Sequence, residues 1–129
     1  MKKFIIIGQI LGVGGWQTYN KNKAALVSSL GWDVAFVCPG KDNNGVKIKL
    51  PDLKNYPHLF IEELSFYPSY FPAKKRREVV DKVRDLISGG TEIDEIIIEA
   101  NAICQVLWGE YISKELGAKS MPLLVYSVF

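Results

Sequence analysis

Apolar residues along this chain fall into short solid runs separated by longer stretches in which they recur at helical spacing. Phe4-Ile5-Ile6-Ile7 is the first run, stopped by Gly8, and reads as a parallel strand covered on both faces. Gly8, Gly12, Gly14 and Gly15 follow closely. From Thr18 the positions Tyr19, Lys23 (by its stem), Leu26, Val27 and Leu30 share one helical face, with Gly31 at the expected C-terminus. A strand, a glycine-rich turn and a helix N-terminus in succession predict a site for an anionic ligand, because glycine lets the backbone approach phosphate closely.

The pattern repeats downstream. Trp32 to Val37 is a second β-rich run, ended by Cys38-Pro39-Gly40. Val46 to Leu50 alternates with period two, as an edge strand would, and Leu59 to Leu64 predicts a third parallel strand. Phe66 to Pro72 packs four aromatics and two prolines into seven residues, a stiff irregular loop whose rings are expected on the domain's own core. Ala73 to Ser88 carries an apolar stripe of Val79, Val80, Val83, Leu86 and Ile87. Ile93 to Ile98 is another buried-strand run, ending at Glu99-Ala100-Asn101 with Asn101 as helix N-cap. Ile103, Val106, Leu107, Tyr111, Ile112 and Leu116 give the next helix its face, Gly117 ends it, and Met121 to Tyr126 reads as a last strand.

Strands alternating with helices in this order predict an α/β fold: a three-layer, Rossmann-like open sheet, mainly parallel, with helices on both faces and strand order 3-2-1-4-5. Its ligand crevice lies outside the carboxyl ends of the strands where the winding reverses, between the first strand and the one ending at Glu99. The Gly8 to Gly15 loop faces the Glu99-Ala100-Asn101 turn there, and Gly12, Gly14, Gly15, Trp16, Glu99 and Asn101 are the candidate donor-phosphate or substrate-binding residues. Glu99 and Asn101 suit a sugar hydroxyl or a ligand amide; the plainer readings are a solvated strand end for Glu99 and a cap for Asn101.

Composition narrows the classes. At 129 residues the chain makes a single domain over 1–129, and 48% hydrophobic with 23% charged residues describes a folded globular protein. A net charge of +2 argues against nucleic-acid binding. Lys74-Lys75-Arg76-Arg77 is the one basic run. A solvated helix face is its simplest account, and attraction to an anion or to the inner face of a membrane is the functional one. The first apolar run is too short for a leader or a span of ~20 residues, which predicts a cytoplasmic protein. Cys38 and Cys104 lack metal-ligand spacing and read as reduced structural thiols. His58 is the only histidine and reads as an exposed loop residue, so no catalytic residue and no metal site is assigned.

Common nucleotide motifs do not fit. Gly12-Val13-Gly14-Gly15-Trp16-Gln17 has Gln17 where a dinucleotide fingerprint needs its third glycine, the second strand ends in Cys38-Pro39-Gly40 instead of an acidic residue, and no Gly-Lys-Ser/Thr occurs. The residues instead resemble a family. Gly14-Gly15-Trp16-Gln17-Thr18-Tyr19-Asn20, Gly31-Trp32-Asp33-Val34, Cys38-Pro39-Gly40, Ile96 to Asn101 and Leu116-Gly117-Ala118-Lys119 are similar to the N-terminal domain of two-domain GT-B glycosyltransferases, closest to those of bacterial surface-polysaccharide synthesis.

That resemblance implies sugar transfer from a nucleotide-sugar donor to a saccharide or lipid-linked acceptor. The N-terminal domain holds the acceptor, Gly14-Gly15 approaches the donor diphosphate, and a second Rossmann domain, absent here, grips the nucleotide. It implies no cofactor beyond the nucleotide sugar as substrate. The expectation is a fragment or truncated product that is inactive alone and self-associates through apolar surface around Trp16 and 121–126. A stand-alone nucleotide or sugar-phosphate binding module, or an interaction domain using Tyr67 to Phe71, is the alternative.

Overall fold

The computed structural model describes residues 2–8, 15–40, 56–87, 95–100, 102–117 and 119–122. The expected edge strand at Val46 to Leu50 lies outside them, as does the chain from 123 onward. Five strands are described: β1 (Lys2–Ile7), β2 (Asp33–Pro39), β3 (His58–Ile61), β4 (Glu95–Ala100) and β5 (Lys119–Pro122). They form one sheet of order β3-β2-β1-β4-β5, and every pairing is parallel. The fold is therefore the expected α/β, Rossmann-like open sheet with β1 at its centre.

Among the described residues three α-helices cover the sheet: α1 (Gly15–Ser29), α2 (Ala73–Ile87) and α3 (Ile103–Leu116). Strand residues alternate between two cores. Ile5, Ile7, Ala35, Val37, Ile98 and Ala100 meet α2 and α3, whereas Phe4, Ile6, Val34, Phe36 and Cys38 meet α1 through Ala24 and Val27. Right-handed crossovers require this division, because the chain winds one way from β1 to β2 and the other way from β3 through β4 to β5.

α2 buries Val79, Val80, Val83 and Ile87, as its stripe predicts. The other two helices are rotated from the expected faces. On α1 the buried positions among the described side chains are Asn20, Ala24 and Val27, while Leu26 and Leu30 are exposed. Small Ala24 brings this helix close to the sheet, and Leu30 falls in the turn after it, where Gly31 takes φ 91°. On α3 the buried face runs through Gln105, Val106, Trp108, Gly109, Ile112 and Ser113, leaving Ile103 and Leu107 outside. Gly109 lies at the centre of that face, where a Cβ would make ordinary contacts of 3.5 Å with Ala100 and 3.7 Å with Ile98. The cap of α3 is Ala102, with no side-chain hydrogen bond, instead of Asn101, which lies outside the described residues.

The third strand is shorter than its apolar run. After Ile61 the chain tightens into a 3₁₀ turn at Glu62–Ser65 and another at Pro68–Tyr70. Trp108, fully buried, donates its indole N–H to the carbonyls of Glu63 (3.1 Å) and Phe66 (2.8 Å), and Gln105 donates to the Leu64 carbonyl at 2.5 Å. These bonds take carbonyls that a longer strand would have offered to a neighbour. His58 opens β3 and is not a loop residue, though it is exposed as expected.

Candidate functional site

β1 and β4 run side by side in register, with Ile6 opposite Glu99 and Ile7 opposite Ala100. From there the two chains part to opposite faces of the sheet, β1 toward α1 and β4 toward α3. This is the winding reversal at which ligands of open α/β sheets bind.

Glu99 is the residue that the reversal isolates. Alternation along β4 puts Ile98 and Ala100 with α2 and α3, and Ile97 and Glu99 on the α1 side. Glu99 is not a solvated strand end: it is 1% exposed. Tyr19, from the second turn of α1, donates its phenol O–H to Glu99 Oε1 at 2.7 Å. Lys23, one turn further on, brings Nζ to 3.9 Å from Oε2 and to 5.9 Å from the centre of the Phe4 ring. Oε2 is buried yet accepts no hydrogen bond among the described residues. A carboxylate oxygen removed from water without a donor is costly, and in native proteins such an atom needs a reason. Burial, reinforced by the hydrogen bond to Glu99 and its charge, pushes the Tyr19 phenol up to about 12, so Tyr19 remains a donor throughout the neutral range.

Of the other residues singled out from sequence, Gly15 is the first residue of α1, one turn before Tyr19, and a Cβ there would meet nothing within 4 Å. Trp16 follows it in the helix. Gly12, Gly14 and Asn101 lie outside the described residues. Tyr19 and Lys23 were legible only as members of a helical face; their spacing of four is the signal that two side chains of α1 reach one point on the sheet.

A cleft of about 290 Å³ lies at the opposite, amino-terminal end of the strands, bordered by Lys3, Trp32, Asp33 and Tyr56. Its rim is tied by the Lys3–Asp33 pair at 3.2 Å, and neither Gly15 nor Glu99 borders it. Among the described residues no group of His, Cys, Asp and Glu is placed to hold a metal ion. Cys38 and Cys104 are both free thiols; Cys38 is buried, and desolvation pushes it up to about 12, so it is unreactive.

No helix among the described residues is long and apolar enough to cross a membrane. No family model matches the chain, and no curated protein matches it. Among solved structures the chain is similar to the C-terminal domain of a hydrogenase from Pyrococcus furiosus, with a TM-score of 0.54 and 16% identity over 94% of this chain and 89% of that one. At that identity the likeness shows the Rossmann-like fold alone.

Proposed function

We propose that the chain is the acceptor-side, Rossmann-like domain of a GT-B-type glycosyltransferase, contributing to sugar transfer from a nucleotide-sugar donor to a saccharide or lipid-linked acceptor at the cytoplasmic side. The observation that carries this reading is Glu99: a carboxylate at the winding reversal, buried, aimed by Tyr19, with one oxygen free of hydrogen bonds among the described residues. A carboxylate so held accepts a hydrogen bond from a sugar hydroxyl with little reorganisation, and Tyr19 and Lys23 keep it oriented and charge-balanced. The sheet order and the glycine-rich sequence that precedes α1 support the same reading, as does the resemblance of 14–20, 31–34 and 96–101 to that family.

Transfer requires both substrates held in register with water excluded. In enzymes of this type the nucleotide is gripped by a second domain, so the 129-residue chain binds saccharides and nucleotide sugars weakly and transfers nothing alone. Ligand-observed NMR with a panel of both, together with a transfer assay, tests this. Glu99→Gln should weaken saccharide binding at least tenfold, because a charged acceptor is replaced by a neutral one. Gly15→Val should weaken nucleotide-sugar binding while the fold persists, since a Cβ there meets none of the described atoms within 4 Å. Turnover by a clean monomer would show that a complete active site lies within these residues, and binding indifferent to Glu99→Gln would remove Glu99 from the site.

A further inference from the structure

The cleft at the amino-terminal end of the strands borders a stretch of sheet that has no neighbour. On its β1 side β2 is paired from Asp33, but on its β3 side the first pair is Phe36 with His58. Phe36 donates its amide to the Pro57 carbonyl at 2.9 Å, whereas the Val37 carbonyl accepts from Gly8 on the opposite side. Peptide groups of a strand alternate between its two neighbours, so Val34 points the same way as Phe36, toward β3. In that register the Val34 carbonyl requires the amide of residue 57, and Pro57 has none. Proline thus leaves an acceptor without a ladder partner among the described residues, at the edge of a cleft of about 290 Å³ and in a residue only 5% exposed. A buried carbonyl needs a donor from elsewhere.

The walls around this acceptor are braced. Trp32 and Tyr56 border the cleft, and each meets a core phenylalanine edge to face: Trp32 meets Phe4 at 6.2 Å and Tyr56 meets Phe36 at 5.6 Å. Leu86 and Ile87, at the end of α2, add apolar lining, and Ser28, near the end of α1, adds a hydroxyl. At the rim Lys3 is engaged by Asp33 Oδ2, and Lys2 Nζ lies 5.3 Å over the Trp32 ring. Two cations beside one carboxylate oppose a cationic ligand. A partner strand would find one open carbonyl to join, because β2 is paired with β3 from Phe36 onward. The volume stands at the lower limit of small-ligand sites, about 300–1,000 Å³. The cleft therefore suits a small, uncharged, flat molecule that offers an N–H where the amide of a neighbouring strand would lie.

We infer that this cleft binds an uncharged nucleobase, carried as a nucleoside. A base joins an edge N–H to two faces that stack on aromatic side chains. The Val34 carbonyl reads the N–H, Trp32 and Tyr56 take the faces, and Ser28 and Asp33 are further acceptors for amino or ribose hydroxyl groups. The site lies at the opposite end of the sheet from Glu99 and is independent of the sugar-transfer reading.

Ligand-observed NMR titration of the purified chain with adenosine, guanosine, cytidine and uridine, and with methyl glucoside as an uncharged ring without flat faces, tests it. At least one nucleoside should bind and the glucoside should not. Trp32→Leu and Tyr56→Leu should each weaken binding by about fivefold or more, the low end of what a base–aromatic stack contributes. Pro57→Ala keeps the aromatic walls but returns to residue 57 the amide that Val34 lacks, and it should weaken binding about two- to twelvefold, the worth of one hydrogen bond. Thermal melts confirm that each variant is folded; should a ring variant unfold, Pro57→Ala carries the comparison. Failure of all four nucleosides to bind, equal binding of the glucoside, or nucleoside binding unchanged by the ring and Pro57 substitutions overturns the inference. Nucleoside binding that Gly15→Val removes and these variants spare would place the base in the crevice beside Glu99, and overturns it as well.

Discussion

The two faces of the sheet are built on different terms. Under α2 and α3 the core is broad and apolar, and its buried polar side chains are spent on the backbone: Gln105 on Leu64, Ser113 on Gly109, Trp108 on Glu63 and Phe66. Under α1 the core is smaller and admits Asn20 and Glu99, both essentially unexposed, with a carboxylate oxygen lacking a hydrogen-bond donor among the described residues. One face is arranged for stability. The other tolerates a polar group that contributes little to folding, which is the pattern expected where chemistry is placed.

The contrast is most easily broken at Trp108. Trp108→Ala should cost about 3–5 kcal/mol, a large share of the 5–15 kcal/mol that holds a domain together, because it opens a cavity and removes the indole donor from the Glu63 and Phe66 carbonyls. Urea denaturation reads this directly, and a loss under 1 kcal/mol would mean that the α2 and α3 face is not the stabilising one. Alkaline titration probes the opposite face. Tyr19 and Cys38 both belong to the α1 side, and in both the folded chain holds its proton to about 12 where the unfolded chain releases it near 10.0 and 9.0. Their contribution is intact below pH 9 and is lost as pH rises toward 12, so unfolding midpoints should fall through that window. A flat profile between pH 9 and 11 would contradict the burial of these groups.

Glu99→Gln should sharpen the comparison by leaving stability within about 1 kcal/mol, since the amide oxygen still accepts from Tyr19 and a strained buried charge disappears. Ultraviolet titration should then find the Tyr19 phenol lower than in the native chain but still above 10, because burial, its largest cause, remains. The smallest effect is expected at Gly109→Ala. The added methyl would sit 3.5 Å from Ala100, an ordinary contact, and replacing a helical glycine should raise stability by up to about 1 kcal/mol. A loss instead would show that α3 packs more tightly on the sheet than the backbone allows.

How far the sequence could be read differs with the same contrast. β1, β2 and the stripe of α2 were legible because buried β-branched runs leave few options, and because Lys74, Glu78, Asp81 and Asp85 mark the wet side of α2. α1 and α3 carry leucine and isoleucine on their outer sides as well, so periodicity had no polar edge from which to fix the rotation. The face of α3 is chosen by Trp108, whose acceptors come from a turn more than forty residues earlier in the chain. For Glu99, alternation gives its side of the sheet, but its burial depends on Tyr19, eighty residues away, and no local pattern carries that. The aromatic segment was legible as stiff, and only the structure separates Phe71, which packs inward, from the three rings that do not.

The strand order has a consequence for how the protein is made. β1 is synthesised before the other described strands and lies in the middle, flanked by β2 on one side and β4 on the other. Half of its backbone bonds therefore wait for residues 95–100. At about 5–20 residues per second that interval is roughly 4–18 s, during which a hydrophobic edge stands open on the ribosome. The nascent chain would pass this window as a two- or three-stranded intermediate, and chaperone demand should end abruptly once β4 has emerged.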